Sequence, residues 1–358
     1  MMPSLTPIER RYSQDADQLG WGDPRDLGNH RLLKERRQRV DLEDHQFFSS
    51  LDHRMMLAKD APESPMEELC RSLFQFDRGW SFHASEQLLY GAPLVHSQGH
   101  VGSCVGAGGG LAIAAKASQE ILNEGDLEDP VGWSTKDANT IRDHAMPFTG
   151  YHYGAGRCKD LWDGERFAGS ISRGDGSYCS VQIWAYMTVG LLPCDRVKDR
   201  YRGPFPQSSD VRSWGNNQRD ELNEHLDIAS EFRMSESVVV RSGQDLLNVL
   251  TVLKQPCHIC SGWGFASAGF DARYEMTLYR RSGTWYHNMT IYGVFEVKGT
   301  WFVLVKNSWG AGAHRKIGRG LPAGCFVIPL SLFDTWILQA ECMSIGELTL
   351  PKASPLFA

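Results

Sequence analysis

The chain has 358 residues, 37 of them Lys or Arg against 43 Asp or Glu for a net charge of -6, and nine cysteines. That length can bury a large core, and both charge signs are spread along the chain, which argues against the clustered basic footprint of a nucleic-acid binder. No run approaches the roughly 18 apolar residues of a membrane span, the opening residues carry no apolar stretch behind a basic head, and nine cysteines are too sparse for a disulfide scaffold.

In chain order, residues 1–77 are rich in charge (RLLKERRQRVDLEDH), break at APESP and carry a short apolar stretch around Leu69 to Phe74. They read as an N-terminal extension, and as the expected contact for an assembly partner. From Gly99 the sequence GHVGSCVGAGGGLAIAAKASQEILNEGD places Leu111, Ala114, Ala115, Ser118, Ile121 and Leu122 at helical spacing, which predicts a buried helix beginning near Cys104. A second helix is expected over YCSVQIWAYMTVGLLP, ending at Gly190 with Pro193 beyond, and the Gly-rich stretch between the two reads as loop. Residues 78–230 thus form a helical lobe.

Beyond about residue 231 the pattern changes. Ser242 can cap a helix carrying Leu246, Leu247, Leu250 and Leu253. TIYGVFEV and TWFVLVK then flank Lys298 and Gly299 as an antiparallel hairpin. Residues 231–358 make a mainly β lobe, so the fold class is α+β.

The chemistry gathers at a few positions. Cys104, at the first turn of a buried helix, gains from the positive end of the helix dipole, which favours thiolate. Glycines at 102, 106, 108, 109 and 110 cost about 1 kcal/mol each in a helix, so several in one turn suggest that backbone must approach something closely there, an open cleft floor being one reason. Gln98 precedes Cys104 by six residues and can offer an amide N-H to an oxyanion. His287 opens one hairpin strand; Asn307 closes the other, followed by Ser308 and Trp309. An ideal hairpin sets residue 290 against 307 and leaves His287 roughly 10 Å from Asn307, so a bulge or bend has to close the gap. The Asn amide oxygen would then hold one imidazole nitrogen and leave the other for the thiol.

QGHVGSC, WYHNMTIYGVFEV and VKNSWG, in that order, resemble the glutamine-to-cysteine segment, the histidine strand and the asparagine motif of the papain-like cysteine peptidases. The likeness spans about 78 to 345 and includes SGQDLLNVLTVLKQPCHICSGW. It implies a two-lobed fold, an α lobe against an antiparallel β-barrel-like lobe, and a cysteine endopeptidase without cofactor or metal that acts on a protein or peptide. In it Cys104 is nucleophile, His287 base, Asn307 its orienter, Gln98 part of the oxyanion hole, and Ser308 and Trp309 supports. Val101 stands where secreted relatives carry a disulfide cysteine, which agrees with a cytoplasmic chain or one inside a viral particle. Val105 and Asn288 also depart from the family pattern, and leave substrate preference open. The alternative is a structural or binding component of a large assembly, such as a virion protein, with the triad idle.

Other motifs read as structural. Cys257 and Cys260 form a C-x-x-C in a predicted strand without a second ligand pair, so two separate thiols are expected in place of a zinc half-site. Cys158, Cys179 and Cys194 are spaced irregularly and read the same way. Asn288, Met289 and Thr290 match a glycosylation sequon by chance. Trp263, Phe265 and Phe270 are expected to pack the β lobe.

Overall fold

The extended run at Arg78–Ser81 forms β1, and α1 (His83–Tyr90) follows directly. The computed structural model describes residues 70–71, 75–125, 145–168, 176–197, 211, 213–215, 219–314 and 317–349. Expectations for residues 1–69 and 72–74, and for most of the segment after residue 125, lie outside the described residues.

Small apolar residues at helical spacing build α2 (Cys104–Gly125), which buries Leu111, Ala114, Ala115, Ser118 and Ile121 as the period predicts. Its glycines are explained by packing and not by an open floor. A Cβ at Gly108 would stand 1.9 Å from Asn288 Oδ1, and one at Gly109 2.0 Å from the Tyr186 hydroxyl. The expected loop after α2 contains a further helix, α3 (Thr149–Arg157), buried along its whole length. Its sequence TGYHYGAGR mixes glycines with aromatics and so carries no apolar stripe for periodicity to find.

Next come α4 (Cys179–Trp184), which widens over Ala185–Val189 and stops at Gly190 as expected, then α5 (Arg219–Glu224) and α6 (Leu226–Ser230). Val105, Leu111, Phe148, Tyr151, Tyr186 and Trp214 lie in one core. In α7 (Gly243–Thr251) the Ser242 hydroxyl accepts the Asp245 N-H at 3.1 Å, the expected cap.

The sheet comprises β1, β2 (Cys257–Asp271), β3 (Met276–Val297), β4 (Thr300–Lys306), β5 (Cys325–Pro329) and β6 (Ala340–Ser344), with α8 (Leu330–Trp336) between the last two. Its order is β4-β5-β3-β2-β6, with β1 and β4 also paired to β3. Because β5 joins β4 and also touches β3 at Leu278↔Val327, the sheet curls back on itself. A second core fills the curl, with Val294, Phe295, Phe302, Val303, Phe326 and Trp336 all buried, each such side chain contributing about 1.5–3 kcal/mol of burial. Phe76, Trp80 and Phe82, from around β1, belong to this second core, so the start of the segment expected as the helical lobe packs with the sheet.

Lys298 (φ 51°) and Gly299 (φ 76°) make the tight turn between β3 and β4. The register moves by one between Ile291↔Val305 and Gly293↔Leu304, so Tyr292 is an extra residue. Thr290 therefore faces Lys306 and not Asn307, a bulge the ideal hairpin lacks. Trp263 and Phe265 pack as expected, but Phe270 is 66% exposed near the tip of the long β2–β3 ribbon, beyond reach of either core. Among the described residues no helix is long and apolar enough to cross a membrane.

Candidate active site

Cys104 is the first residue of α2, and its sulfur accepts the backbone N-H of Asn288, the residue after His287. That bond brings the N-terminus of the long helix against β3. A second seam bond, Thr290 Oγ1 to the Gly108 carbonyl at 2.7 Å, holds the same two elements together. Cys104 and Asn288, the residue after His287, come from different lobes and meet because α2 can approach β3 this closely.

His287 pairs with Ser261, and the β2–β3 register shifts directly afterwards. Tyr286, just before it, has φ 46°, a left-handed conformation rare for a bulky residue. A bulge of this kind turns the next side chain out of the regular alternation. The His287 imidazole meets Asn307, with Nε2 to Oδ1 at 2.8 Å. An amide oxygen only accepts, so Nε2 carries the hydrogen and Nδ1 keeps the lone pair in the neutral ring. Trp309 stacks on the imidazole at 4.5 Å between centroids and 25° between planes, covering the His287–Asn307 bond from water.

The segment after Asn307 also holds Gln98. The Gln98 N-H donates to the Ser308 carbonyl at 2.9 Å, Ser308 Oγ donates to Gln98 Oε1 at 2.5 Å, and Ser97 bridges Trp309. Gln98 Nε2 donates one hydrogen to the Val101 carbonyl at 2.9 Å. The amide is thus fixed at both ends, in the turn leading to Cys104.

Two features escaped sequence reasoning. Asn307 Nδ2 lies 3.0 Å from His314 Nε2, so a second imidazole accepts from the amide that orients the first. Buried Lys306 pairs with fully buried Glu86 at 2.8 Å, and the same carboxylate oxygen accepts the Leu94 N-H and the Tyr292 hydroxyl. This network pins the end of β4, and with it Asn307, to α1. Neither pattern has a local signature, because the partners are joined only by the fold.

Burial governs the charges. The Cys104 thiol is 2% exposed and is pushed up to about 12 by burial and by nearby Cys260, against the pull of the Asn288 N-H. His287 is pushed down to about 4 by burial, against the hydrogen bond to Asn307. Thiol and imidazole therefore rest neutral at pH 7. Beyond Trp309 a groove of about 370 Å³ is lined by Phe265, Tyr279, Trp285, Trp309 and His314.

Asn288, Met289 and Thr290 are fully buried, which leaves the sequon inaccessible in the folded chain. Among the described residues a buried group of metal-ligating side chains, Cys179, Cys260 and Glu341, stands on the side-chain side of Asn288.

A helical lobe bearing Cys104 packed on a curled-sheet lobe bearing His287 and Asn307 makes the fold α+β, the class that the sequence predicts. No model of a protein family and no curated protein matches the chain. Among solved structures it is similar to xylellain, a cysteine protease from Xylella fastidiosa, at 14% identity and a TM-score of 0.46, over 85% of this chain and 92% of that one. Procathepsin B S9 from Trypanosoma congolense matches at 12% and 0.41, over 82% and 84%. The proform of the ragweed pollen cysteine protease Amb a 11 matches at 13% and 0.41, over 95% and 93%. At such identities and TM-scores these likenesses carry no argument about activity.

Proposed function

We propose that the chain is a cysteine endopeptidase acting on proteins or peptides through a thioester on Cys104. The observation that carries this reading is the 2.8 Å bond from His287 Nε2 to Asn307 Oδ1, which commits one face of the imidazole and presents Nδ1 as a base, next to a residue whose backbone N-H is already on the Cys104 sulfur.

In this reaction Nδ1 takes the thiol proton as the sulfur adds to the scissile carbonyl, and the carbonyl oxygen becomes an oxyanion held by Gln98 Nε2 and the Cys104 backbone N-H. The imidazolium returns that proton to the amine as the C–N bond breaks, leaving an acyl thioester. Water, deprotonated by His287, adds to the thioester, and the acid leaves as the sulfur recovers its proton. Because burial favours the neutral form of both groups, the proton moves from Cys104 to His287 within the addition step itself, as the sulfur bonds to the carbonyl.

A second reading, a structural or binding component with an idle triad, is favoured by one observation, the burial of both Cys104 and His287. Labelling with an epoxide or fluoromethylketone thiol-protease probe and peptide mapping separates the two. Modification confined to Cys104 and lost in His287→Ala is the expected result. Equal, slow labelling of several cysteines would refute an assembled nucleophile and leave the idle triad.

A further inference from the structure

We propose that Cys179, Cys260 and Glu341 bind one soft divalent metal ion of the zinc class at the seam between the two lobes. This goes beyond the peptidase reading and does not depend on it. The two sulfurs and a carboxylate oxygen lie within 4.8 Å of one another, and all three side chains are buried. Tetrahedral zinc, with Zn–S about 2.3 Å and Zn–O about 2.0 Å, sets such donors roughly 3.3–3.8 Å apart. The donors close on the ion by about an ångström.

The sheet supplies the arrangement. Cys260 faces Glu341 across β2–β6 and Asn288 across β2–β3, so three side chains form one row on one face. Cys179 completes the group from the start of α4, in the other lobe. Asn288 Nδ2 shares its two hydrogens among three acceptors, the sulfurs of Cys179 at 3.2 Å and Cys260 at 3.0 Å and the Ile259 carbonyl at 3.1 Å. Its Oδ1 is buried and meets no donor of ordinary geometry, although the His258 imidazole stands beside it. The amide thus turns its donor side on two sulfurs, an outer-shell arrangement suited to sulfur carrying metal-bound charge. The Cys179 N-H donates to Glu341 Oε2 at 3.1 Å and aims the carboxylate.

Two thiolates with one carboxylate favour zinc, cadmium or cobalt over magnesium and calcium. Three protein donors leave the fourth position to an exogenous ligand. The site is not the C-x-x-C half-site that the sequence brings to mind. Cys257 and Cys260 are three apart in a strand and point to opposite faces, one in the sheet core and the other in the helical core.

The test uses the full-length chain in a Cys104→Ala background, titrated with cobalt(II) and then zinc. The expected result is one cobalt per chain with a thiolate-to-metal charge-transfer band, displacement of that band by zinc, and a higher Tm with zinc bound. Cys179→Ser and Cys260→Ser lose the band and Cys257→Ser keeps it. Isosteric Glu341→Gln lowers cobalt affinity at least about tenfold, and it decides the matter should the serine variants fail to fold. No band, or one that survives both Cys179→Ser and Cys260→Ser, or one lost only in Cys257→Ser, overturns the site. Because Cys104 is absent throughout, either outcome leaves the peptidase reading untouched.

Discussion

In the proposed reaction the His287 imidazole exchanges protons with a thiol on one side while Asn307 holds it on the other. Asn307 is itself held: Oδ1 also accepts the Ser308 N-H at 2.7 Å, and Nδ2 meets His314. Loss of a hydrogen bond to a group that becomes charged costs about 1.5–3 kcal/mol, which converts to roughly 10- to 100-fold in rate. Asn307→Ala is therefore expected to lower kcat/KM on a peptide substrate by that factor, checked by steady-state kinetics. An unchanged kcat/KM would remove Asn307 from the mechanism.

At the scale of elements, the glycines of α2 are where helix and sheet meet. Gly108→Ala sets a methyl 1.9 Å from Asn288 Oδ1. Since Asn288 also supplies the N-H on Cys104, the variant is expected to lose about 1–3 kcal/mol of stability and to slow probe labelling, measured by denaturant unfolding and labelling rate together. The end of β4 depends on the Lys306–Glu86 pair, 1% and 0% exposed. Lys306→Met leaves a buried carboxylate uncompensated and is expected to cost about 3–5 kcal/mol, part of which Glu86→Gln in the same chain recovers. A double variant no more stable than Lys306→Met would mean the pair is not what holds the strand.

These elements also show what the sequence could disclose. The period of Leu111, Ala114, Ala115, Ser118 and Ile121 and the Ser242 cap are local patterns, and the structure keeps both. The helix Thr149–Arg157 was illegible because aromatics and glycines fill its turns, and the bulge at Tyr292 because nothing local marks an extra residue. The positions of Cys104, His287 and Asn307 could be read from motif order, whereas His314, Glu86 and the Cys179, Cys260 and Glu341 group join residues that only the fold brings together.

For the molecule as a whole, acid is the expected weakness. Burial lowers His258 and His287 to about 4 and His96 and His152 to about 3, while unfolded histidines titrate near 6.5. As pH falls from about 6.5 toward 4 the unfolded chain takes up protons that the native chain refuses, so native stability falls, by about 1.4 kcal/mol per pH unit for each such group. Glu120, raised to about 7 by burial, acts in the opposite sense, one group against these four and against His83 and His314, which are also lowered to about 4. Tm is expected to drop steadily from pH 7 to pH 4 in a thermal scan; a flat or rising Tm would show that these histidines are hydrated in the native state.

Strand β1 has a further consequence, for the chain as it is made. Arg78 binds Glu296, 218 residues further on, so the strand leaves the ribosome long before its partner β3 exists. While the helical lobe is being synthesised β1 has no sheet to join, and the curled lobe can close only when its first strand is recovered from far upstream. Such late, long-range closure is slow, and it leaves an unpaired edge open to chaperones during translation.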